Sequence, residues 1–260
     1  MTFNKDKFLQ CKSYNDPFPV LEIRNFLNKD EAQLACEILD KADFDEFVMG
    51  NRKNIRKGTK LFGDFINKNK FISDLYNFFN DINQYEYILE KLLKLSKSSK
   101  LEFNLSKKPE NFNKDYYAYK STLHNKNFIK MTSNYLGKKF PKIFKKFFEC
   151  FFLDMSFAEA RRGYKIETHT DKPTRIIVFL LYLNDLNEEE GGSLEIYSTK
   201  STDDKPTLHH TFKPQAGKLI AFLSNPVSFH NVQEIKTDTA VRKFIYGSYT
   251  SNNNITWIKN

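Results

Sequence analysis

GYKIETHTDKPTRIIVFLLYL, residues 163–183, holds two signals from which the rest of the chain can be read. Its second half, Ile176 to Leu183, is apolar on both alternations. A strand of that texture is covered on both faces, so a central strand is expected there. The first half runs as a shorter strand ending near His169 and Asp171, with the turn residues Lys172-Pro173 before the second. Side chains two apart in a strand project from one face. An imidazole and a carboxylate therefore point into one small space.

Outward from this stretch, the whole chain from about residue 150 has the same texture. Short runs rich in Ile, Val, Phe, Tyr and Thr alternate with turn residues. Strands are expected at 151–159, 164–169, 174–183, 193–198, 207–213, 218–223, 230–235 and 241–249. Arg162-Gly163, Glu190-Gly191-Gly192, Asp203 to Pro206, Pro214 to Gly217 and Asn225-Pro226 mark further turns. Short strands at this spacing suggest a jelly roll or small barrel. The first half reads mainly as helix. Asn28 precedes KDEAQLACEILDKA with Glu31 third after it, an N-cap and an acidic first turn. Residues 71–95 hold no Pro or Gly and repeat apolar residues at helical steps. A further helix is expected around 124–138, and residues 50–60 and 97–115 read as loops.

Composition narrows the class. Of 260 residues, 26 are Phe, so the chain can bury large rings and wholesale disorder is not expected. Lys plus Arg outnumber Asp plus Glu, 41 to 32, but the lysines are spread along the whole length and read as solvated charge. Nucleic acid is the lesser reading of that charge. Cys11, Cys36 and Cys150 are far apart and form no CxxC, which argues against a disulfide framework or a cysteine zinc site. The opening MTFNKDKFLQCKSYNDPF lacks an apolar signal core, and no stretch reaches the roughly 18 apolar residues of a membrane span. A cytoplasmic, reduced protein is expected.

A third ligand completes the pair at 169 and 171. His230, in Ser228-Phe229-His230-Asn231-Val232, begins a later strand. Two His and one carboxylate on one face of an octahedron leave three positions open, which suits Fe(II) oxygen chemistry better than a closed, four-ligand zinc site. The open positions accept a bidentate 2-oxoacid and then O2. A 2-oxoglutarate held so extends a second carboxylate, and arginine pairs bidentately with carboxylate. Arg242, one short strand and turn after His230, is the candidate; Lys243 would point to the opposite face. An HxD alone often arises by chance, but the whole set is much sharper. His209 and His210 are adjacent and would face opposite ways on a strand, so neither is read as a ligand; His124 reads as surface. Arg161 and Arg162 read as turn charges, with an acidic substrate group as the alternative partner. Arg175 is a candidate substrate contact.

At these residues the chain resembles the Fe(II)/2-oxoglutarate dioxygenase superfamily, in particular its prolyl-hydroxylase-like branch. The resemblance covers residues 150–250. His169-Thr170-Asp171 looks like the HxD motif, Leu181-Tyr182-Leu183-Asn184 like the strand ending in YLN, and Gly191-Gly192-Ser193-Leu194 like the GGxL turn. Pro214 to Phe222 resembles the P-x-x-G strand entry, His230-Asn231-Val232-Gln233 the distal His segment, and Arg242 the cofactor Arg. Asp16 to Leu27 resembles the extended lead-in to the first helix of many bacterial members.

The resemblance implies an α+β chain with a mainly β core: a double-stranded β-helix (jelly roll) with N-terminal helices packed on the sheet. Residues 1–149 would form the mainly helical extension and 150–260 the catalytic core of one structural domain. It implies Fe(II), 2-oxoglutarate as co-substrate and O2, with ascorbate as an accessory reductant. Oxidative decarboxylation to succinate and CO2 would be coupled to hydroxylation of a small molecule or a protein side chain. Tyr182 would donate a hydrogen bond to 2-oxoglutarate, and Leu194 would line its pocket. The chain also departs from the pattern. Glu159 and Ala160 stand where many members carry a tyrosine, so a second carboxylate contact is lost or supplied elsewhere. Ser248 stands where some members place a tryptophan and where DNA-repair demethylases place a second arginine. A nucleic-acid demethylase and a non-enzymatic, metal-binding jelly-roll module are the competing readings. No membrane partner is expected, and the oligomeric state stays open. The aromatic run FPKIFKKFFECFF, 140–152, reads either as an interface or as the packing of the last helix on the sheet.

Overall fold

The structure, a computed structural model, describes residues 5–8, 11–45, 51–95, 99–103, 151–198, 205–251 and 255–259. The expected helix at 124–138, His124, Cys150 and most of the aromatic run at 140–152 lie outside them.

A single 3₁₀ turn, Lys5–Phe8, precedes β1 (Cys11–Tyr14) and β2 (Val20–Ile23). Helix α1 (Lys29–Asp40) starts at the expected cap. Asn28 Oδ1 accepts from the Glu31 N–H at 2.9 Å, and Glu31 accepts from the Asn28 N–H at 2.7 Å. This reciprocal box satisfies two otherwise orphaned donors. Next come β3 (Arg52–Arg56), α2 (Lys60–Lys68), α3 (Lys70–Asn80), α4 (Ile82–Leu95) and β4 (Ser99–Phe103). Three sequence expectations change here, the first being that the loop read at 97–115 contains β4, which exists by pairing with residues 255–259. The helix read over 71–95 is two helices, because Asp81 is extended and its carboxylate takes the Asn83 N–H at 2.9 Å, which competes with helical continuation. The loop read at 50–60 contains β3. Its sequence is RKNIR, with only Ile55 buried, so pairing with β5 rather than apolar alternation makes it a strand.

The remaining strands are β5 (Phe151–Ala160), β6 (Ile166–His169), β7 (Arg175–Tyr182), β8 (Leu194–Ser198), β9 (Thr207–Phe212), β10 (Leu219–Leu223), β11 (Phe229–Val232), β12 (Arg242–Ser251) and β13 (Ile255–Lys259). All eight expected strands are present, and β13 is an addition that pairs with β4. The others form two antiparallel sheets. One has seven strands in the order β1-β2-β10-β7-β12-β5-β3; the other has four, β6-β11-β8-β9. Three strands of the large sheet come from the first half of the chain, so both halves share one sheet.

Strand β7 lies at the centre of the large sheet, and both of its faces are buried. Ile177, Phe179 and Leu181 join the core that includes Phe62, Phe65, Leu75 and Phe79 of α2 and α3. Phe179 stacks on Phe79 with ring centroids 4.4 Å apart. Val178, Leu180 and Tyr182 face the other way and meet Leu194, Ile196, Phe212 and Val232 of the small sheet. Helices therefore cover one face of the large sheet and a second sheet covers the other, each burying one alternation. No helix among the described residues is long and apolar enough to cross a membrane.

Gly217 ties the lead-in of α1 to the entry of β10. Its φ is +76°, and a Cβ there would lie 1.9 Å from the Leu27 carbonyl oxygen. The Gly217 carbonyl also accepts from the Leu27 N–H at 3.1 Å. Both backbone strain and overlap with main chain oppose a side chain. Gly217→Ala is expected to destabilise the fold by about 2 kcal/mol or more, seen as a Tm lowered by roughly 5 °C in a circular-dichroism melt. An unchanged melt would show that the two segments are not rigidly apposed.

Candidate metal and co-substrate site

The small sheet builds the centre. His169 ends β6, and His230 lies directly opposite it on the antiparallel neighbour β11. Asp171 follows two residues after His169, as the alternation requires. The imidazole centroids are 4.4 Å apart. His230 Nε2 lies 3.5 Å from Asp171 Oδ2, and His169 Nε2 lies 4.0 Å from Asp171 Oδ1. One ligand atom from each residue falls within 4.8 Å of the other two.

Local hydrogen bonds set the tautomers. His169 Nδ1 is 2.9 Å from the Glu167 carbonyl, and His230 Nδ1 is 2.8 Å from the Ser228 carbonyl. A carbonyl only accepts, so each Nδ1 carries the proton and each Nε2 keeps its lone pair. Burial holds the His230 imidazole below its ordinary pKa, which favours the neutral, ligating form. One Asp171 oxygen is in close contact with the Arg175 guanidinium. The other, Oδ2, is buried and has no hydrogen-bond partner. A buried, unsatisfied carboxylate oxygen is costly. Two imidazole lone pairs beside it offer electrons and no protons, so a cation fits this donor set.

A cavity of about 800 Å³ lies between the two sheets and is lined by all three of these residues. Arg175, Leu194 and Arg242 line it too. Arg242 is 1% exposed, and its Nε and Nη2 have no partner. Its guanidinium carbon lies 4.4 Å from the Phe244 ring centroid and 5.2 Å from that of Tyr182. Lys243 points the other way, in contact with Asp40, as strand alternation predicts. A buried guanidinium with free N–H groups is ready to take a carboxylate. Leu194 is buried against the same space. Arg175 spans from Asp171 to the Tyr246 ring, 5.4 Å from its centroid.

Other residues singled out in the sequence do not line the cavity. Tyr182 is fully buried, and its hydroxyl donates to the Phe212 carbonyl at 3.0 Å. Burial raises its pKa, and its proton is directed at that carbonyl, outside the residues that line the cavity. Tyr182 instead packs beside Arg242. Arg162 is exposed and paired with Asp238 at 2.7 Å in a separate surface depression. His209 and His210 both engage Asp16, at 3.3 and 2.9 Å, outside the cavity. Ser248 is buried, its hydroxyl 2.8 Å from that of Thr250.

Sequence reasoning missed Arg52, Asp154, Ser156, Tyr164 and Tyr246, all of which line the cavity. Asp154 and Ser156 had a legible signal: they are polar breaks alternating with Leu153, Met155 and Phe157 in an expected strand. Arg52 had none, because β3 carries no strand periodicity.

The segment that carries this site is similar to known proteins. Residues 155–250 match the family model described as 2OG-Fe(II) oxygenase superfamily. Over 97 residues the chain is 32% identical to mouse prolyl 3-hydroxylase OGFOD1, a match covering 36% of this chain and 18% of that protein. Among solved structures, it is similar to a Pseudomonas putida prolyl-4-hydroxylase (26% identity, 40% of this chain and 54% of that one, TM-score 0.32). It is also similar to the viral collagen prolyl hydroxylase of Paramecium Bursaria Chlorella virus-1 (14% identity, 88% and 94%, TM-score 0.43). The chain thus spans 18% of the curated relative's length and about half of the Pseudomonas enzyme. His169, Asp171, His230 and Arg242 all fall inside the segment 155–250 that matches the 2OG-Fe(II) oxygenase superfamily model, 96 of the 260 residues.

Proposed function

We propose that the chain is an Fe(II)- and 2-oxoglutarate-dependent dioxygenase that hydroxylates a small molecule or a protein side chain, with release of succinate and CO2. The observation that carries this reading is the partnerless Asp171 Oδ2, buried beside two imidazoles whose Nδ1 protons are engaged elsewhere. In this reading the two sheets form a double-stranded β-helix, with residues 150–260 as catalytic core and 1–149 as its extension.

His169, Asp171 and His230 would hold the iron, Arg242 the distal carboxylate of 2-oxoglutarate, and Leu194 the carbon chain between. Iron, 2-oxoglutarate and O2 together supply the oxidising power when bound. The protein's residues orient and exclude. The Glu167 and Ser228 carbonyls fix the two imidazoles. Phe222 packs edge-on against His230 at 4.9 Å and holds its ring. Leu180, Leu194, Phe222 and Val232 make the wall apolar, which strengthens each charged contact within it. An open cavity beside the three ligands distinguishes the site from a structural metal site, which is closed. The demethylase reading gains no second arginine, since position 248 is a buried serine.

Chelator-treated protein is expected to form succinate only at background rate, and added Fe(II) is expected to restore formation in air. Saturating metal and 2-oxoglutarate should also stabilise the fold, by about 2.7 kcal/mol at a hundredfold excess over Kd. Succinate formation indifferent to iron, with no thermal shift, would overturn the reading.

A further inference from the structure

Arg52 is a cation of the cavity that the iron and 2-oxoglutarate reading leaves unused. Among the guanidiniums lining the cavity, Arg175 is neutralised by Asp171 and Arg56 is exposed. Arg242 and Arg52 have no carboxylate in ion-pair contact among the described residues. Asp154 lines the same space without pairing to Arg52.

The register explains how Arg52 reaches the site. Ala160 of β5 pairs with Arg242 of β12 on one side and with Arg52 of β3 on the other. The two arginines therefore flank Ala160 in one row of the sheet. Arg52 does not stay in that row. Its Nε donates to Asn54 Oδ1 at 2.5 Å and its Nη2 to Ser156 Oγ at 3.1 Å, both further along the strands. Its guanidinium carbon lies 5.0 Å from the Phe244 centroid and 5.8 Å from that of Tyr246. Tyr246 is the ring that Arg175 covers from the metal side, and it pairs in register with Ser156. The head of Arg52 thus shares the Phe244 ring with Arg242 and reaches on to Tyr246, the ring that Arg175 shares. It is held by neutral acceptors and ring faces that fix its position without cancelling its charge.

We propose that Arg52 binds a carboxylate of the molecule to be oxidised, so that the enzyme selects substrates carrying a free acid group. This rests on the iron and 2-oxoglutarate reading and adds a substrate class to it. The substrate, rather than the co-substrate, is the source of that carboxylate. The metal and Arg242 already account for both ends of 2-oxoglutarate.

The test uses the full chain loaded with Mn(II) and saturating 2-oxoglutarate. N-acetylproline and N-acetylleucine are titrated against their primary amides by calorimetry or ligand-observed NMR. The acids are expected to bind the native protein about tenfold or more tighter than the amides, as a charge-assisted contact provides. Arg52→Gln should bring that ratio close to one and Arg52→Lys should keep much of it, while the Kd for 2-oxoglutarate stays within about twofold in both. That last measurement also shows that the variants are folded. No acid preference in the native protein, or an unchanged preference in Arg52→Gln, overturns the proposal. A loss of 2-oxoglutarate affinity in Arg52→Gln of about tenfold also overturns it and assigns Arg52 to the co-substrate. Failure of the native protein to bind Mn(II) and 2-oxoglutarate at all sinks the dioxygenase reading itself, and this proposal with it.

Discussion

His230→Ala is expected to reduce iron-dependent succinate formation to background and to weaken metal binding by about a hundredfold or more. Loss of groups that merely orient a metal ligand costs about 10–100-fold, and removing the ligand should cost at least as much. The argument is geometric. His230 Nε2 lies 3.5 Å from Asp171 Oδ2, the buried oxygen without a partner. Taking the imidazole away leaves one His, one carboxylate and a void against Phe222. Some stability will also be lost, so metal affinity has to be measured directly, by titrating Co(II) or Mn(II) into folded protein. His209→Ala is the control. His209 is engaged with Asp16 outside the cavity, and its loss should leave metal affinity unchanged. Equal metal affinity in the native protein and His230→Ala would remove the ligand assignment and the dioxygenase reading with it.

Arg242→Met is expected to move affinity and stability in opposite directions. Methionine fills much of the same space and removes the charge. Loss of a buried, charge-assisted contact costs about 2–5 kcal/mol, or about 30-fold or more in the Kd for 2-oxoglutarate. In the free protein, however, the guanidinium is buried with Nε and Nη2 unsatisfied. Replacing a buried, unpaired charge with an apolar side chain should leave the unliganded fold as stable as before or more so. Calorimetry with 2-oxoglutarate and a melt of the unliganded protein test the two signs separately. Unaltered affinity for 2-oxoglutarate would show that Arg242 is not its anchor. A large fall in the melting temperature of the free protein would show that the arginine is held by contacts that stabilise the fold.

The ease with which each feature could be read follows from how local its cause is. The strands after residue 150 were legible because alternation and turn residues act between near neighbours. The pair at 169 and 171 was legible for the same reason, since both side chains leave one strand end on one face. The choice of Arg242 over Lys243 followed from that alternation too. Strand β3 was illegible because its residues, RKNIR, have no apolar alternation and it exists by pairing with β5. The break at Asp81 was missed because the side-chain bond that ends the helix competes within an otherwise helical pattern.

The assignments that moved all involve a partner from a remote segment. Tyr182 was read as a donor to the co-substrate, but the Phe212 carbonyl from β9 takes its proton. For Arg162, read as a turn charge with a substrate group as the alternative, Asp238 from the loop before β12 is the partner at the surface. Ala160 looked like a lost contact in sequence. In the sheet it is the small residue that two arginines flank from neighbouring strands.

By itself, the amino-acid order determined where eight strands after residue 150 run, which side chains share a face, and the set of two histidines, a carboxylate and an arginine suited to iron and a 2-oxoacid. Only the tertiary structure decided which strand lies beside which, and so which protons and charges are already engaged and which still face the cavity. A period of two residues states the side of a strand from which a group projects. Its neighbour across the sheet depends on chain segments far away in sequence, whose pairing energy is not written in any local pattern.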